Sequence, residues 1–276
     1  MTDNIIILAG GASSRMKKST AQNLTPDKVT QANQLSKGLI ELKGKPFLSY
    51  LLKHILEAGF KNVFIITGAK SDNFRKAFEN KAEFEGIKIQ FATQFIPEGR
   101  ERPMGTADAL YQCLNEFPHL KETKFCVCNS DNLYSLKALK LLKNSTAQQA
   151  ILAYDIDHLN FSRARISRFA VMRFNADNKL LSIVEKPEEN EIQQYTDSSG
   201  KIRVSMNIFL FDGQLIFKHL ENCPLHPSRN EKELPTALLN MIHDNAVVNG
   251  IPIAEHVPDL TSKEDIAVLE KYLGEN

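Results

Sequence analysis

The chain has 276 residues, 42% of them hydrophobic and 24% charged, and a formal net charge of +1. That balance suits one large α/β domain or two small ones with a substantial core, and it excludes a broad electrostatic field for nucleic acid or an acidic membrane surface. No apolar run is as long as a membrane span, and the first residues enter a strand with no basic-apolar leader. A cytoplasmic protein without a membrane partner is therefore expected. The cysteines Cys113, Cys126, Cys128 and Cys223 show no Cys-x-x-Cys spacing. Cys126 and Cys128 share one parity of an apolar strand and read as small core residues rather than metal ligands.

Asn4-Ile5-Ile6-Ile7-Leu8 is a short β-branched run and predicts a strand buried on both faces. It enters Ala9-Gly10-Gly11-Ala12-Ser13-Ser14-Arg15-Met16. Paired glycines allow a tight turn and close approach to a ligand. The small residues after them leave N–H groups free to face an anion, and Arg15 adds a planar cation suited to phosphate. The stretch outlines a triphosphate site; the plainer alternative is a glycine β-turn with a chance arginine. It has neither a Gly-x-Gly-x-x-Gly nor a Walker loop.

Residues 17–34 are polar, with little apolar periodicity, and predict a mobile loop or lid. Lys43-Gly44-Lys45 reads as a turn, and Pro46 opens a helix that Gly59 stops. Strands are expected at 62–68, 86–91 and 124–129, separated by helices at 72–80 and from Gly105-Thr106 to 114. Alternation of this kind predicts a parallel sheet covered on both faces, with ligands at the carboxyl ends of its strands. The glycine turn and Ser130-Asp131 both fall at such ends. In the second half, strands are expected at 150–154, 168–174, 180–184, 203–211 and 251–257, and helices at 213–220, 231–244 and 262–273. Asp177-Asn178 predicts a hairpin with antiparallel pairing. One compact domain with two halves follows, about 1–135 for nucleotide and about 150–276 for a co-substrate.

Asp131 could reach a divalent cation over the same crevice as the glycine turn, or could be a turn or N-cap residue. Gly105 permits close approach to a flat base, and Thr106 opens a helix whose N–H groups a ligand could take; a glycine turn with a Thr cap is the alternative. Glu185-Lys186-Pro187 leaves an acid and a base side by side at a strand tip, which is also common on plain surfaces. Asp155-Ile156-Asp157 has Asp-x-Asp spacing but follows a later strand.

The opening stretch resembles the Leu-Ala-Gly-Gly-x-x-x-Arg-Met/Leu signature of the nucleotidyltransferases of activated-sugar synthesis, the sugar-1-phosphate nucleotidyltransferases or NDP-sugar pyrophosphorylases. Pro103-Met104-Gly105-Thr106-Ala107-Asp108-Ala109 is similar to that family's Pro-x-Gly-Thr-Ala-x-Ala stretch, and Glu185-Lys186-Pro187 to its Glu-Lys-Pro. Residues 257–265 look like its Asp-x-Gly-Thr-Pro-Glu-Asp-Leu segment, with Thr261, Ser262 and Lys263 where Gly, Thr and Pro are usual. Ser262 with Asp265 also reads as a near capping box. The resemblance implies a single Rossmann-like, three-layer α/β domain of nucleotide-diphospho-sugar transferase type, with a mixed, mostly parallel sheet. It implies Mg²⁺ on Asp131 and Asp259, catalytic roles for Arg15, Lys37, Asp131 and Lys186, and nucleotide contacts at Leu8, Ala9, Gly10, Gly11, Gly105, Thr106 and Ala107. Glu185, Lys186 and Asn207 would hold the sugar phosphate, Asn207 standing where many members have glycine. The partners implied are a nucleoside triphosphate and a sugar 1-phosphate, with no nucleic acid and with room for a homo-oligomer. A glycosyltransferase taking a nucleotide-sugar donor and a non-catalytic nucleotide-binding module are the alternatives. Base and sugar are not legible.

Overall fold

In the computed structural model every residue from 1 to 276 is described except 23, 70, 186–190 and 276. The strands are β1 (Asn4–Leu8), β2 (Glu41–Leu42), β3 (Lys45–Pro46), β4 (Asn62–Thr67), β5 (Lys88–Thr93), β6 (Lys124–Asn129), β7 (Gln149–Asp155), β8 (Ala170–Phe174), β9 (Leu180–Glu185), β10 (Arg203–Asp212) and β11 (Val248–Ile253). Nine of them form one sheet in the order β11-β7-β10-β6-β1-β4-β5, with the β8–β9 hairpin attached to β10. The pairs β1–β4, β1–β6, β4–β5 and β7–β11 are parallel, whereas β10 runs antiparallel to both β6 and β7. The sheet is thus mixed and mostly parallel, and the single α/β domain expected is the one found.

Alternation along β1 explains the layers. Ile5 and Ile7 pack into one apolar cluster and Ile6 into the other, all three fully buried. Burial of such a side chain is worth about 1.5–3 kcal/mol. Helices Phe47–Glu57 and Leu136–Lys143 cover the first face; helices Thr106–Glu116, Gly213–Glu221 and Leu234–His243 cover the second.

Several local expectations are corrected. The segment 17–34 is not a loop: helices Ser14–Lys18 and Pro26–Gln34 occupy most of it. Thr25 caps the second by accepting from the Lys28 N–H, Pro26 sits at its first position, and Asp27 faces its positive end. One buried residue, Ala32, suffices to dock it, so the stretch lacks a wide apolar stripe. Helix Leu136–Lys143 was not anticipated, although Ser135 caps it and Leu139 and Leu142 are buried at helical spacing. A short helix, Arg163–Ile166, precedes β8. The last strand lies at 248–253 rather than 251–257, because β7 offers partners only from Gln149 to Tyr154. Beyond Ile253 the chain leaves the sheet and returns toward Asp131.

Gly213 shows how closely the second face is packed. A Cβ there would lie 2.1 Å from Leu120 O and 2.8 Å from Lys121 O, both main chain. Gly213→Ala is expected to lower stability by about 1–3 kcal/mol, the usual cost of overpacking, with turnover per folded molecule unchanged; urea unfolding with an activity assay checks both.

Candidate active site

Strand order places a switch point at β1. From β1 the chain goes outward to β4 and β5 and then crosses back to β6 on the other side, and ligands of open α/β sheets bind at the carboxyl ends beside such a point. The turn after β1 and the turn after β6 therefore face each other. Between them is a cavity of about 430 Å³, lined by Leu8, Ala9, Gly10, Gly11, Arg15, Lys37, Gly105, Thr106 and Asp131 among the expected residues. A larger hollow of about 800 Å³ lies at the amino ends of β4 and β5. Its charged groups, such as Lys61, Glu79 and Lys88, come from the sheet end opposite the switch point, so the smaller cavity, at the switch point, is the candidate site.

Around the glycine turn, the Ala9 N–H still donates to Ile66 O at 2.8 Å. Among the described residues the N–H groups from Gly10 to Ser14 enter no backbone hydrogen bond, which leaves them for an anion. A Cβ on Gly11 would meet no protein atom within 4 Å, so the missing side chain opens the cavity itself. Ser13 adopts φ 54°, ψ 30°, a left-handed conformation unfavourable for a non-glycine residue, at the start of helix Ser14–Lys18. Arg15, in the first turn of that helix, is exposed, and its guanidinium has no partner among the described residues.

Opposite it, the Lys37 ammonium lies 2.7 Å from Asp131 Oδ2, with side-chain exposures of 11% and 24%. Lys37 starts a 3-10 turn, Lys37–Leu39, whose Gly38 is buried against Leu48 on helix Phe47–Glu57. Helix Pro26–Gln34 takes up much of the chain between Arg15 and Lys37, and Lys37 reaches the cavity.

Asp259 is brought beside Asp131 by a small antiparallel bridge between Asn132 and Asp259, with the Leu260 N–H donating to Asp131 O at 2.8 Å. Its carboxylate accepts from Thr261 Oγ1 at 2.8 and 2.9 Å and from Arg165 Nη2 at 2.8 Å. Burial, and after it the neighbouring Asp131, push the Asp259 carboxyl above its ordinary range, while Arg165 and Thr261 pull it down. Arg165 also binds the Asp265 carboxylate. Sequence reasoning missed Arg165: it sits on a four-residue helix 94 residues before Asp259, and no motif marked it.

Other expectations need revision. Thr106 Oγ1 accepts from the Leu234 N–H at 2.9 Å, and the Ala107 N–H donates to Lys232 O at 3.0 Å. Ala107 is fully buried and does not line the cavity. Of the N–H groups at this helix start, that of Ala107 is therefore occupied by the loop before helix Leu234–His243, while Gly105 and Thr106 stay in the cavity lining. Gly105, at φ 104°, is required by the same loop, since a Cβ would lie 2.3 Å from Lys232 O. The group that does line the cavity nearby is Gln94, which follows β5. Its Nε2 donates to Gly105 O and Asp108 Oδ2, each at 2.9 Å, so its Oε1 is the atom nearest Gly10. Arg102 and Glu231 line the cavity too. None of the three was singled out, because each lies in a loop without periodicity.

Glu185, Asn207 and Asp259 lie outside this cavity's lining, and Lys186 lies outside the described residues. Glu185 is ion-paired to Arg229, which also holds Glu233. Asn207 sits at φ 55° where the β10–β7 register shifts, exposed within an otherwise buried strand. Tyr134 Oη anchors that irregularity, 2.7 Å from Met206 O and 3.2 Å from Asn207 O. The Asp-x-Asp pair is structural: Asp155 accepts from the Asp157 N–H at 3.1 Å and faces Lys201 and Arg203, and Asp157 pairs with Lys201 at 2.9 Å.

A doubly wound sheet with an unpaired glycine turn and a lysine–carboxylate pair at its switch point is an architecture suited to a nucleotide. The family model for nucleotidyl transferases matches residues 4–251, and the chain belongs to that family. It is similar to glucose-1-phosphate adenylyltransferase 1 of Vibrio vulnificus, 23% identical over 219 residues that cover 78% of this chain and 50% of that protein. It is also similar to the UTP–glucose-1-phosphate uridylyltransferase AglF of Haloferax volcanii, 26% identical over 184 residues (67% and 65%). The bifunctional protein GlmU of Methanococcus vannielii is 23% identical over 271 residues (98% and 55%). The chain spans about half to two thirds of the length of these relatives. No helix among the described residues is long and apolar enough to cross a membrane.

Proposed function

We propose that the protein transfers a nucleotidyl group from a nucleoside triphosphate to a sugar 1-phosphate, releasing pyrophosphate. The observation that carries this reading is the convergence of the open glycine turn, Arg15 and the Lys37–Asp131 pair in one cavity, with Asp259 bridged to the Asp131 turn. The relatives' names point the same way, since two act on glucose 1-phosphate.

The half of the chain up to about residue 135 would hold the nucleotide, and the half from about 150 the acceptor. Gly10 to Ser14 offer N–H groups to the triphosphate, and Arg15 meets charge that builds as the α-phosphorus–oxygen bond breaks. Lys37 is held at the α-phosphate side by Asp131. The acceptor's phosphate oxygen is already a nucleophile, so no protein base is required; positioning and charge neutralisation supply the catalysis. Lys186 would grip the acceptor phosphate, with Glu185 and Asn207 on the sugar.

The donor set fits magnesium. No group of three or more His, Cys, Asp or Glu among the described residues could cage an ion, but the adjacent carboxylates of Asp131 and Asp259 are what a magnesium ion completed by substrate phosphates requires. Bound there, the ion would neutralise phosphate charge at the reacting centre.

A panel of nucleoside triphosphates against sugar 1-phosphates, with magnesium and pyrophosphate as the readout, tests the reading. Release that depends on both substrates is expected. Hydrolysis without an acceptor, or transfer of sugar from a nucleotide-sugar, would reject it. Within the panel, Lys186→Ala is expected to raise the acceptor's KM about tenfold or more with a smaller loss of kcat, the pattern for a lost ground-state contact. If the nucleotide KM rose instead, the division into halves would fail.

A further inference from the structure

The mechanism leaves unused a titratable side chain buried beside the site, that of Lys263, which is 5% exposed. A buried ammonium is tolerated only when its protons are hydrogen-bonded. Those of Lys263 go to three main-chain carbonyls: Met16 O at 3.0 Å, Lys17 O at 3.1 Å and Ser19 O at 2.7 Å. These belong to the C-terminal end of helix Ser14–Lys18, where carbonyls lack intrahelical partners and a cation is favoured. The Lys263 N–H adds a further contact, donating to Ser19 Oγ at 3.0 Å.

That helix has little else to hold it. It is five residues long, starts from the left-handed Ser13, has no side-chain cap and buries only Met16; a helix so short does not persist unaided. Yet its first turn presents Arg15 to the cavity. The other end of the Lys263 segment carries Asp259, fixed by Arg165 through both Asp259 and Asp265. One turn, 259–265, thus bears a proposed metal-binding carboxylate and grips the helix that bears the phosphate-binding arginine.

We propose that Lys263 is a positioning residue for the transfer reaction: it sets the phosphate loop and Arg15 at a fixed distance from the Asp131–Asp259 carboxylates. The proposal rests on the nucleotidyltransferase reading. It also gives a role to a position where the sequence departs from the Gly-Thr-Pro of the family it resembles, since a proline has no side-chain donor for the three carbonyls.

The test compares wild type, Lys263→Met and Ser19→Ala. Methionine matches the stem and donates nothing; alanine removes the Ser19 hydroxyl and leaves the ammonium. Hydrogen exchange is followed in the ligand-free proteins, and steady-state constants are measured per folded molecule. Lys263→Met is expected to speed exchange at residues 13–20 while β7 and β10 are unaffected. It should lower kcat at least tenfold and raise the triphosphate KM, and leave the acceptor KM unchanged. Ser19→Ala should show the same pattern at a smaller size, about twofold to threefold in kcat and in the triphosphate KM. Wild-type constants per folded molecule, with only a lowered melting temperature, would make Lys263 merely structural and overturn the proposal. Unchanged exchange at 13–20 would do the same. If Lys263→Met does not fold, Ser19→Ala decides alone, and wild-type exchange and kinetics in it would overturn the idea. Wild-type turnover is measured first: its absence with every substrate pair would reject the nucleotidyltransferase reading and this proposal together, and is thereby distinct from failure of the proposal alone.

Discussion

Replacing Arg15 with alanine is expected to lower kcat/KM for the triphosphate by about 10³–10⁵, the range that arginines contribute in phosphoryl transfer, or roughly 4–7 kcal/mol of transition-state stabilisation. The expectation follows from where the residue sits. Its guanidinium lines the cavity, is exposed, and has no partner among the described residues, so its charge is free for substrate. The backbone N–H groups of the turn would still bind phosphate in the ground state, so kcat should fall more than the KM rises. Stability should not change, because the side chain is exposed and makes no ion pair among the described residues. Steady-state kinetics with each substrate varied in turn, alongside a melting curve, checks this. A loss below tenfold would mean that Lys37 and the N–H groups alone carry the developing charge. Arg15→Lys separates charge from shape: a lysine keeps the cation but not the planar fork, and partial recovery is expected.

How far the site could be read from sequence depended on whether a residue's role was local. The β1 strand and its turn announce themselves, since a β-branched run that ends in two glycines has a strong local signal for a buried strand and a tight turn. The position of Asp131 at a strand's carboxyl end was legible, and the fold sets it in the cavity lining beside Lys37. Asn207 stands where the family pattern has glycine, and its left-handed backbone, at φ 55°, is a conformation that asparagine tolerates. Helix Pro26–Gln34 was misread because a surface helix docked by one alanine has almost no apolar stripe, although Thr25-Pro26-Asp27 was a start signal. Ala107 was misread for the opposite reason. A glycine–threonine helix start looks open in one dimension, and only the fold brings Lys232 onto it. Arg165 and Lys263 act through contacts 94 and more than 240 residues away in sequence, and nothing local records such a pairing. Lys263 stood out only as a mismatch to the family pattern, which is a reason to treat departures in a motif as positions that need a partner.

Asp131→Ala is expected to bring turnover to the assay's floor, a loss of at least several kcal/mol of transition-state stabilisation, while the protein stays folded. Two separate functions disappear with the carboxylate. It is one of the two groups proposed to hold magnesium, and it is the ion-pair partner of Lys37 at 2.7 Å. Without it the ammonium, which is 11% exposed, is no longer aimed across the cavity. Asp131→Asn separates the two: the amide can still accept a hydrogen bond from Lys37, yet it is a poor ligand for a hard cation. If the metal role dominates, Asn and Ala should be equally inactive; if orientation of Lys37 dominates, Asn should recover at least tenfold. The fold should survive in both, since the turn is held through main chain, by the Leu260 N–H on Asp131 O and the Leu133 N–H on Pro258 O, each at 2.8 Å. Circular dichroism and thermal melting establish that, and manganese binding in the presence of nucleotide reads the metal directly. Near wild-type turnover of either variant at saturating magnesium would remove Asp131 from the mechanism and leave Asp259 without its proposed partner.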